Sequence, residues 1–214
     1  MHAEYWLNRW QSNDISFHSG NINPSLDRYF TNLNLPVNSR VFVPLCGKTV
    51  DIHYLLNKGM YVVGVALSEL AIRQLFIELA LTPKVTKHGL LTAYQAQGIC
   101  IWVGDVFALT ADHLDHVDAI YDRGALVALP FAIRNQYAQH LITLSHAALQ
   151  LLITCVYDQS QRSGTPYSVP AAEVQSIYAK QYSLNMLSCE KLSQGIKGVT
   201  SASITVWLMS PSAS

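Results

Sequence analysis

The stretch RVFVPLCGKTVDIHYLLNKGMYVVGVALSE, residues 40–69, packs two apolar runs and one glycine turn into thirty residues. Arg40 to Pro44 is short and apolar, as a strand should be. Thr49 to Lys58 places Ile52, Leu55 and Leu56 on one helical face, and Gly59 fits the position after the last turn. Met60 to Ala66 is a continuous apolar run, the pattern of a strand buried on both faces. Ser68 is placed to cap a second helix through Leu79, with Pro83 soon beyond its end. Strand, turn, helix, strand and helix in this order form the start of a doubly wound sheet.

The flanking sequence extends the pattern. The first 12 residues predict a short helix with Trp6 and Trp10 one turn apart. The polar loop NDISFHSGNINPS follows, and Pro24 opens the next helix around SLDRYFTNL. Residues 90–105 predict two strands with Gly98 at the bend. DAIYDRGAL predicts another strand and its exit loop. Pro130 precedes a helix in which Ile133, Tyr137, Leu141, Leu144 and Ala148 share one face. LQLLITCVYD is a further buried strand, PAAEVQSIYAKQY a helix, and NMLSCEKLS with SASITVWLM a closing strand pair. Strand–helix alternation followed by a terminal antiparallel pair predicts an α/β sandwich with a largely parallel sheet.

Composition narrows the function. The chain has 214 residues, half of them hydrophobic and 13% charged, which suits one domain with a sizeable core and argues against disorder. Fourteen basic residues balance fourteen acidic ones, so no bulk field favours nucleic acid or an anionic membrane. A small molecule is the expected partner, with a monomer as the default state. Cys46, Cys100, Cys155 and Cys189 are widely spaced and form no CxxC pair, which suits reduced thiols in the cytoplasm. No signal peptide or membrane span is expected: the apolar runs are of strand length, far below the roughly 20 residues of a spanning helix. DHLDH at 112–116 has two histidines three apart among carboxylates but no rigid third ligand, so no metal site is expected.

The turn after the first strand limits its ligand. In open α/β sheets ligands lie beyond the carboxyl ends of the strands, which here means the loop Leu45–Lys48. A phosphate loop, GxxxxGK[ST], would need glycine at Phe42, which lies inside the strand. GxGxxG is missing as well. One glycine does not wrap a triphosphate or pyrophosphate in backbone amides. A nucleoside ligand without phosphate asks less of the turn, and S-adenosyl-L-methionine is one. The competing reading is that PLCG is only a tight strand-to-helix turn.

The chain resembles the thiopurine S-methyltransferase family, bacterial members included, over nearly its whole length. The likeness is carried by W-x3-W and ISFH near the start, VFVPLCGKTVDI, GMYVVGVALSE and GDVFAL. It continues through YDRGALVALP and VYDQSQRSGTPYSVPAAEV. The resemblance implies a seven-stranded, mostly parallel sheet in a three-layer, Rossmann-like sandwich of the class I S-adenosylmethionine-dependent methyltransferases. It implies one catalytic domain, residues 1–214, with residues 1–35 as a helical lid over the cofactor. It also implies methyl transfer to a small thiol or selenol acceptor. The cofactor residues implied are Trp10, Leu45, Gly47, Ala66, Asp105, Val106 and Arg123, with Asp105 taking the adenine amino group. Trp6, Phe17 and His18 are implied as lid or substrate residues. Arg123 is expected to support an anionic acceptor electrostatically, and no residue is assigned as a general base.

Two departures stand out. The family pattern GVELSE reads GVALSE here, so Ala66 offers no carboxylate to the ribose hydroxyls; Ser68 or Glu69 would have to reach them instead. The segment QGIKGVTSASIT carries only Lys197 where relatives have several charges, which bears on acceptor preference. Both departures motivate an alternative, a degenerate cofactor-binding protein with little catalysis. Asp122 and Arg123 have their own structural alternative, a salt bridge at the strand end, and Cys46 is expected to be an apolar filler.

Overall fold

A computed structural model describes residues 3–212. The chain divides into two compact units, residues 1–118 and 119–214.

The first unit begins with helix α1 (Ala3–Gln11) and helix α2 (Pro24–Tyr29). The Asn23 side chain accepts from the Ser25 and Leu26 amides, so with Pro24 at the first position the start of α2 is fixed locally. A 3-10 turn (Phe30–Leu33) leads into β1 (Arg40–Val43). Then come α3 (Asp51–Asn57), β2 (Tyr61–Ala66), α4 (Glu69–Glu78), β3 (Lys84–His88), β4 (Leu91–Ala96) and β5 (Ile99–Val103). A 3-10 turn (Val106–Ala108) and the one-turn helix α5 (Ala111–Leu114) close the unit.

β1 pairs parallel with β2, and β2 parallel with β5, while β4 runs antiparallel to both β5 and β3. Val62 to Ala66 of β2 are all buried, as a strand covered on both faces requires. Gly64 interrupts this apolar run for a steric reason: a Cβ there would stand 2.6 Å from Ile101 Cδ1 and 2.9 Å from Cys46 Sγ.

The second unit runs β6 (Ala119–Arg123), a 3-10 turn (Leu126–Ala128), α6 (Phe131–Ser145), β7 (Leu149–Tyr157), a 3-10 turn (Gln159–Gln161), α7 (Ala171–Tyr178), β8 (Tyr182–Lys191) and β9 (Ala202–Pro211). β6 pairs parallel with β7, while β9 runs antiparallel to both β7 and β8. A buried ion pair joins α6 to α7. Arg134 Nη1 donates to both Glu173 carboxylate oxygens, at 2.7 and 2.8 Å, and its Nε donates to the Leu129 carbonyl.

The α/β class stands, but among the described residues the strands number nine rather than the seven of the resemblance, and the pairing is mixed. The residue pattern by itself predicts eight of the nine, and the one it misses is β3. All five of its residues are exposed, so it carries no apolar run and is held at the edge by backbone pairing to β4.

Candidate functional site

Beyond the carboxyl end of β1 the chain turns sharply. Leu45 (φ 47°) and Gly47 (φ 51°) both adopt the left-handed conformation, flanking Cys46. For Leu45 this conformation is costly, and the surrounding bonds hold it. The Cys46 amide donates to the Val65 carbonyl at 2.9 Å, and the Thr49 amide donates to the Cys46 carbonyl at 3.2 Å. The loop is thereby laced to the end of β2. The Cys46 thiol, buried over Gly64, is pushed up to about 12 by desolvation. It is no nucleophile, and its role as a filler in the turn is now visible.

Trp10, the buried residue of α1, lies across Gly47, where a Cβ would stand 2.9 Å from its Cζ2. Trp10 also packs edge-on against Phe17 (centroids 5.5 Å apart), and Phe17 edge-on against Trp6 (5.2 Å). The expected lid residues Trp6, Trp10 and Phe17 are therefore one aromatic cluster. Arg9, which the sequence did not single out, organises it. Its guanidinium donates to the Asp14 carbonyl and carboxylate, both at 2.9 Å, to Ser16 Oγ and to the Tyr5 hydroxyl, and stands 5.1 Å from the Phe17 ring centroid. The one sequence signal for Arg9 was its place between the two tryptophans. His18 is half-buried beside this cluster in sequence, its amide donating to the Ile15 carbonyl.

Ala66 ends β2 and is buried; its carbonyl accepts from the Gly104 amide at 2.9 Å. That bond places Asp105 and Val106, which follow, beside the end of β2. Asp105 is exposed, with Oδ1 accepting from the Phe107 amide, and Val106 is buried. Leu45, Gly47, Ala66, Asp105 and Val106 thus cluster at the carboxyl ends of β1, β2 and β5, where an open α/β sheet binds its ligand.

The residues expected to replace the missing ribose carboxylate are engaged elsewhere. Ser68 Oγ caps α4 by accepting from the Ala71 amide at 3.3 Å. Glu69 Oε1 accepts from Arg73 Nε and Nη2, at 3.0 and 2.7 Å, and from the Tyr94 hydroxyl. The Tyr94 bond, and then those of Arg73, hold the Glu69 carboxyl below the usual carboxylate range.

Arg123 ends β6 in the second unit and is half-buried. The salt-bridge alternative for Asp122 and Arg123 fails: Asp122 accepts from the Leu126 amide at 3.1 Å and from the Tyr137 hydroxyl at 2.8 Å. Successive strand residues point to opposite faces, which keeps the two side chains apart. In the 112–116 stretch, His113 Nδ1 accepts from the Thr110 amide, and His116 pairs with Asp118. Among the described residues no group of three or more His, Cys, Asp or Glu side chains could hold a metal ion.

Solved structures of the same architecture define the class. One is the 1,6-didemethyltoxoflavin-N1-methyltransferase of Burkholderia thailandensis, with bound S-adenosylhomocysteine (TM-score 0.66, 13% identity, covering 97% of this chain and 87% of that one). Another is the magnesium protoporphyrin IX methyltransferase of Synechocystis (TM-score 0.64, 15% identity, covering 98% and 100%). At these identities the likeness is one of fold, that of the class I S-adenosylmethionine-dependent methyltransferases. The sequence comparison is narrower. Residues 1–208 match the family description Thiopurine S-methyltransferase. Thiopurine S-methyltransferases of Teredinibacter turnerae and Xanthobacter autotrophicus are each 44% identical over 210 residues, covering 98% of this chain and 98% and 99% of theirs. The chain belongs to the thiopurine S-methyltransferase family.

Proposed function

We propose that the chain is an S-adenosylmethionine-dependent S-methyltransferase, moving a methyl group to a small thiol or selenium nucleophile such as a thiopurine. The observation that carries this reading is the Trp10–Gly47 contact over the turn after β1. It leaves a single-glycine loop, too poor in amides for phosphate, roofed by an aromatic ring and flanked by Ala66 and Asp105. Such a site suits a nucleoside with a phosphate-free linkage and an amino acid end, so the residues fit S-adenosylmethionine. Leu45 and Gly47 would hold the methionine end, Asp105 and Val106 the adenine, and Trp10 would cover it.

Bound there, S-adenosylmethionine supplies an electrophilic methyl group on a sulfonium. The protein's part is alignment and exclusion of water. An anionic sulfur or selenium nucleophile gains reactivity as its hydration is stripped, so a strong general base is unnecessary. Trp6, Trp10 and Phe17 would exclude water and offer aromatic faces to a cation. Arg123 would supply positive charge for an anionic acceptor. In this reading residues 1–214 act as one catalytic domain, with 1–35 as its lid.

The four free cysteines favour the cytoplasm. Among the described residues no helix is long and apolar enough to cross a membrane. The balanced charge favours a small-molecule partner over nucleic acid, and a monomer is the default reading.

Ala66, with Ser68 and Glu69 already engaged, favours a second reading: a protein that binds the cofactor with little turnover. Incubation with methyl-labelled cofactor and 6-mercaptopurine, aromatic thiols or selenite separates the two. Labelled product is expected; binding of S-adenosylhomocysteine without product from any acceptor supports the second reading.

A further inference from the structure

We propose that Asp122 is a positioning residue for Arg123: its buried side chain holds the turn that leaves β6 and so fixes where the neighbouring guanidinium is presented. The inference rests on the role assigned above to Arg123.

Asp122 has no solvent exposure. Oδ1 accepts from the Leu126 amide at 3.1 Å, across the turn Arg123–Gly124–Ala125, and the Ala125 amide also contributes. Oδ2 accepts from the Tyr137 hydroxyl of α6 at 2.8 Å. Gly124 has φ 79°, so the backbone bends immediately after Arg123. One carboxylate therefore ties both ends of the turn to the body of the unit, while Arg123 between them projects from the other face of the strand.

No cation figures among these partners, which is a costly way to hold a turn. A neutral side chain could close it without burying a charge. The other groups facing Asp122 are neutral: Tyr137 from α6 and Tyr178 from α7, both phenols pushed well up by burial, and Leu152 opposite it on β7. With desolvation unopposed by a positive charge among the described residues, the Asp122 carboxyl rises to about 6. Below that pH it carries a proton, one of its oxygens turns donor, and the grip on the turn loosens.

The test combines amide hydrogen exchange with turnover, comparing wild type with Asp122→Asn and Tyr137→Phe. In the wild type, Leu126 exchange, corrected for its intrinsic pH dependence, should accelerate several-fold as pH falls through about 6. In Asp122→Asn that step should vanish. In Tyr137→Phe it should move to higher pH, since the ionised form loses a donor. With an aromatic thiol ionised throughout the range, the acid limb of kcat/KM should follow the same pattern. Asp122→Asn, which keeps an acceptor for the Leu126 amide at every pH, should hold the neutral-pH KM for the acceptor down to acid pH, where the wild-type KM rises. Identical exchange profiles in wild type and Asp122→Asn overturn the proposal, as does an acid limb that survives Asp122→Asn. A wild type that neither binds S-adenosylhomocysteine nor methylates any acceptor sinks the enzyme reading instead; the exchange profiles then decide alone whether Asp122 holds the turn.

Discussion

Trp10 and Gly47 touch so closely that the glycine has no room for a side chain: an added Cβ would lie 2.9 Å from Cζ2 and 3.6 Å from Cη2 of the indole. Gly47 is also left-handed at φ 51°. Gly47→Ala therefore meets two costs, about 1–2 kcal/mol for the left-handed backbone and the displacement of a ring packed on Phe17. The expected outcome is a lower melting temperature together with weakened S-adenosylhomocysteine binding. Trp10→Phe in the same background should restore part of the stability by clearing the contact. Calorimetry and thermal melts decide it; full cofactor affinity in Gly47→Ala would remove the indole from the site.

Ala66 tests the cofactor reading from the opposite direction. Ser68 is committed to the cap of α4 and Glu69 to Arg73 and Tyr94, which leaves the end of β2 without a carboxylate turned to a ligand. A charge-assisted hydrogen bond contributes about 1.5–3 kcal/mol, so Ala66→Glu should tighten S-adenosylhomocysteine binding by roughly tenfold to a hundredfold. Glu69→Gln should leave it nearly unchanged. If instead Glu69→Gln weakens binding and Ala66→Glu does nothing, Glu69 swings onto the ribose when the ligand arrives.

Much of this arrangement could be read from residue order, because the signals involved are local. The apolar run of β2, the cap at Ser68 and the glycine after α3 each act within a few residues. β3 was illegible for the opposite reason: KVTKH is polar and exposed, and it is a strand only because β4 offers it a backbone partner. The parallel pairs of β1, β2 and β5 and of β6 and β7 follow from strand–helix alternation, and the antiparallel pairing of β8 with β9 from two strands in succession without a helix between them. At the site, the family motifs named Trp10 and Gly47 separately. That they touch is a fact about two segments 37 positions apart. Arg9 as organiser of the aromatic cluster, and Tyr137 as partner of Asp122, are likewise contacts that only the folded chain makes.

The Arg134–Glu173 pair shows how the second unit is braced. The two side chains are only 3% and 11% exposed, and Arg134 additionally serves the Leu129 and Ser168 carbonyls. Arg134→Ala strands a buried carboxylate along with those carbonyls, a change that costs about 3–5 kcal/mol. In a chain of this size that corresponds to a fall of roughly 10 °C in melting temperature. Replacing both partners, Arg134→Met with Glu173→Leu, should recover most of the loss, because no charge is then left buried alone. A double variant no more stable than Arg134→Ala would show that the backbone carbonyls, not the carboxylate, are what Arg134 stabilises.

The buried carboxylate of Asp122 has a signature in stability as well as in exchange. Its folded pKa, about 6, lies above the ordinary 3.8 because burial disfavours the ionised form. A group raised in this way adds stability below its unfolded value and loses that contribution as pH climbs through its folded value. The difference is on the order of 3 kcal/mol between the acid and neutral ends. Asn has nearly the same shape, keeps an oxygen for the Leu126 amide and has no charge to bury. Asp122→Asn should therefore be more stable than wild type at pH 8, by about 1–3 kcal/mol, and should show little gain at pH 4. Denaturant titrations of both proteins at the two pH values read this directly. A variant less stable than wild type at pH 8, with the deficit shrinking at pH 4, would mean that the carboxylate's hydrogen bonds to Leu126 and Tyr137 outweigh its burial, and that ionised Asp122 stabilises the fold.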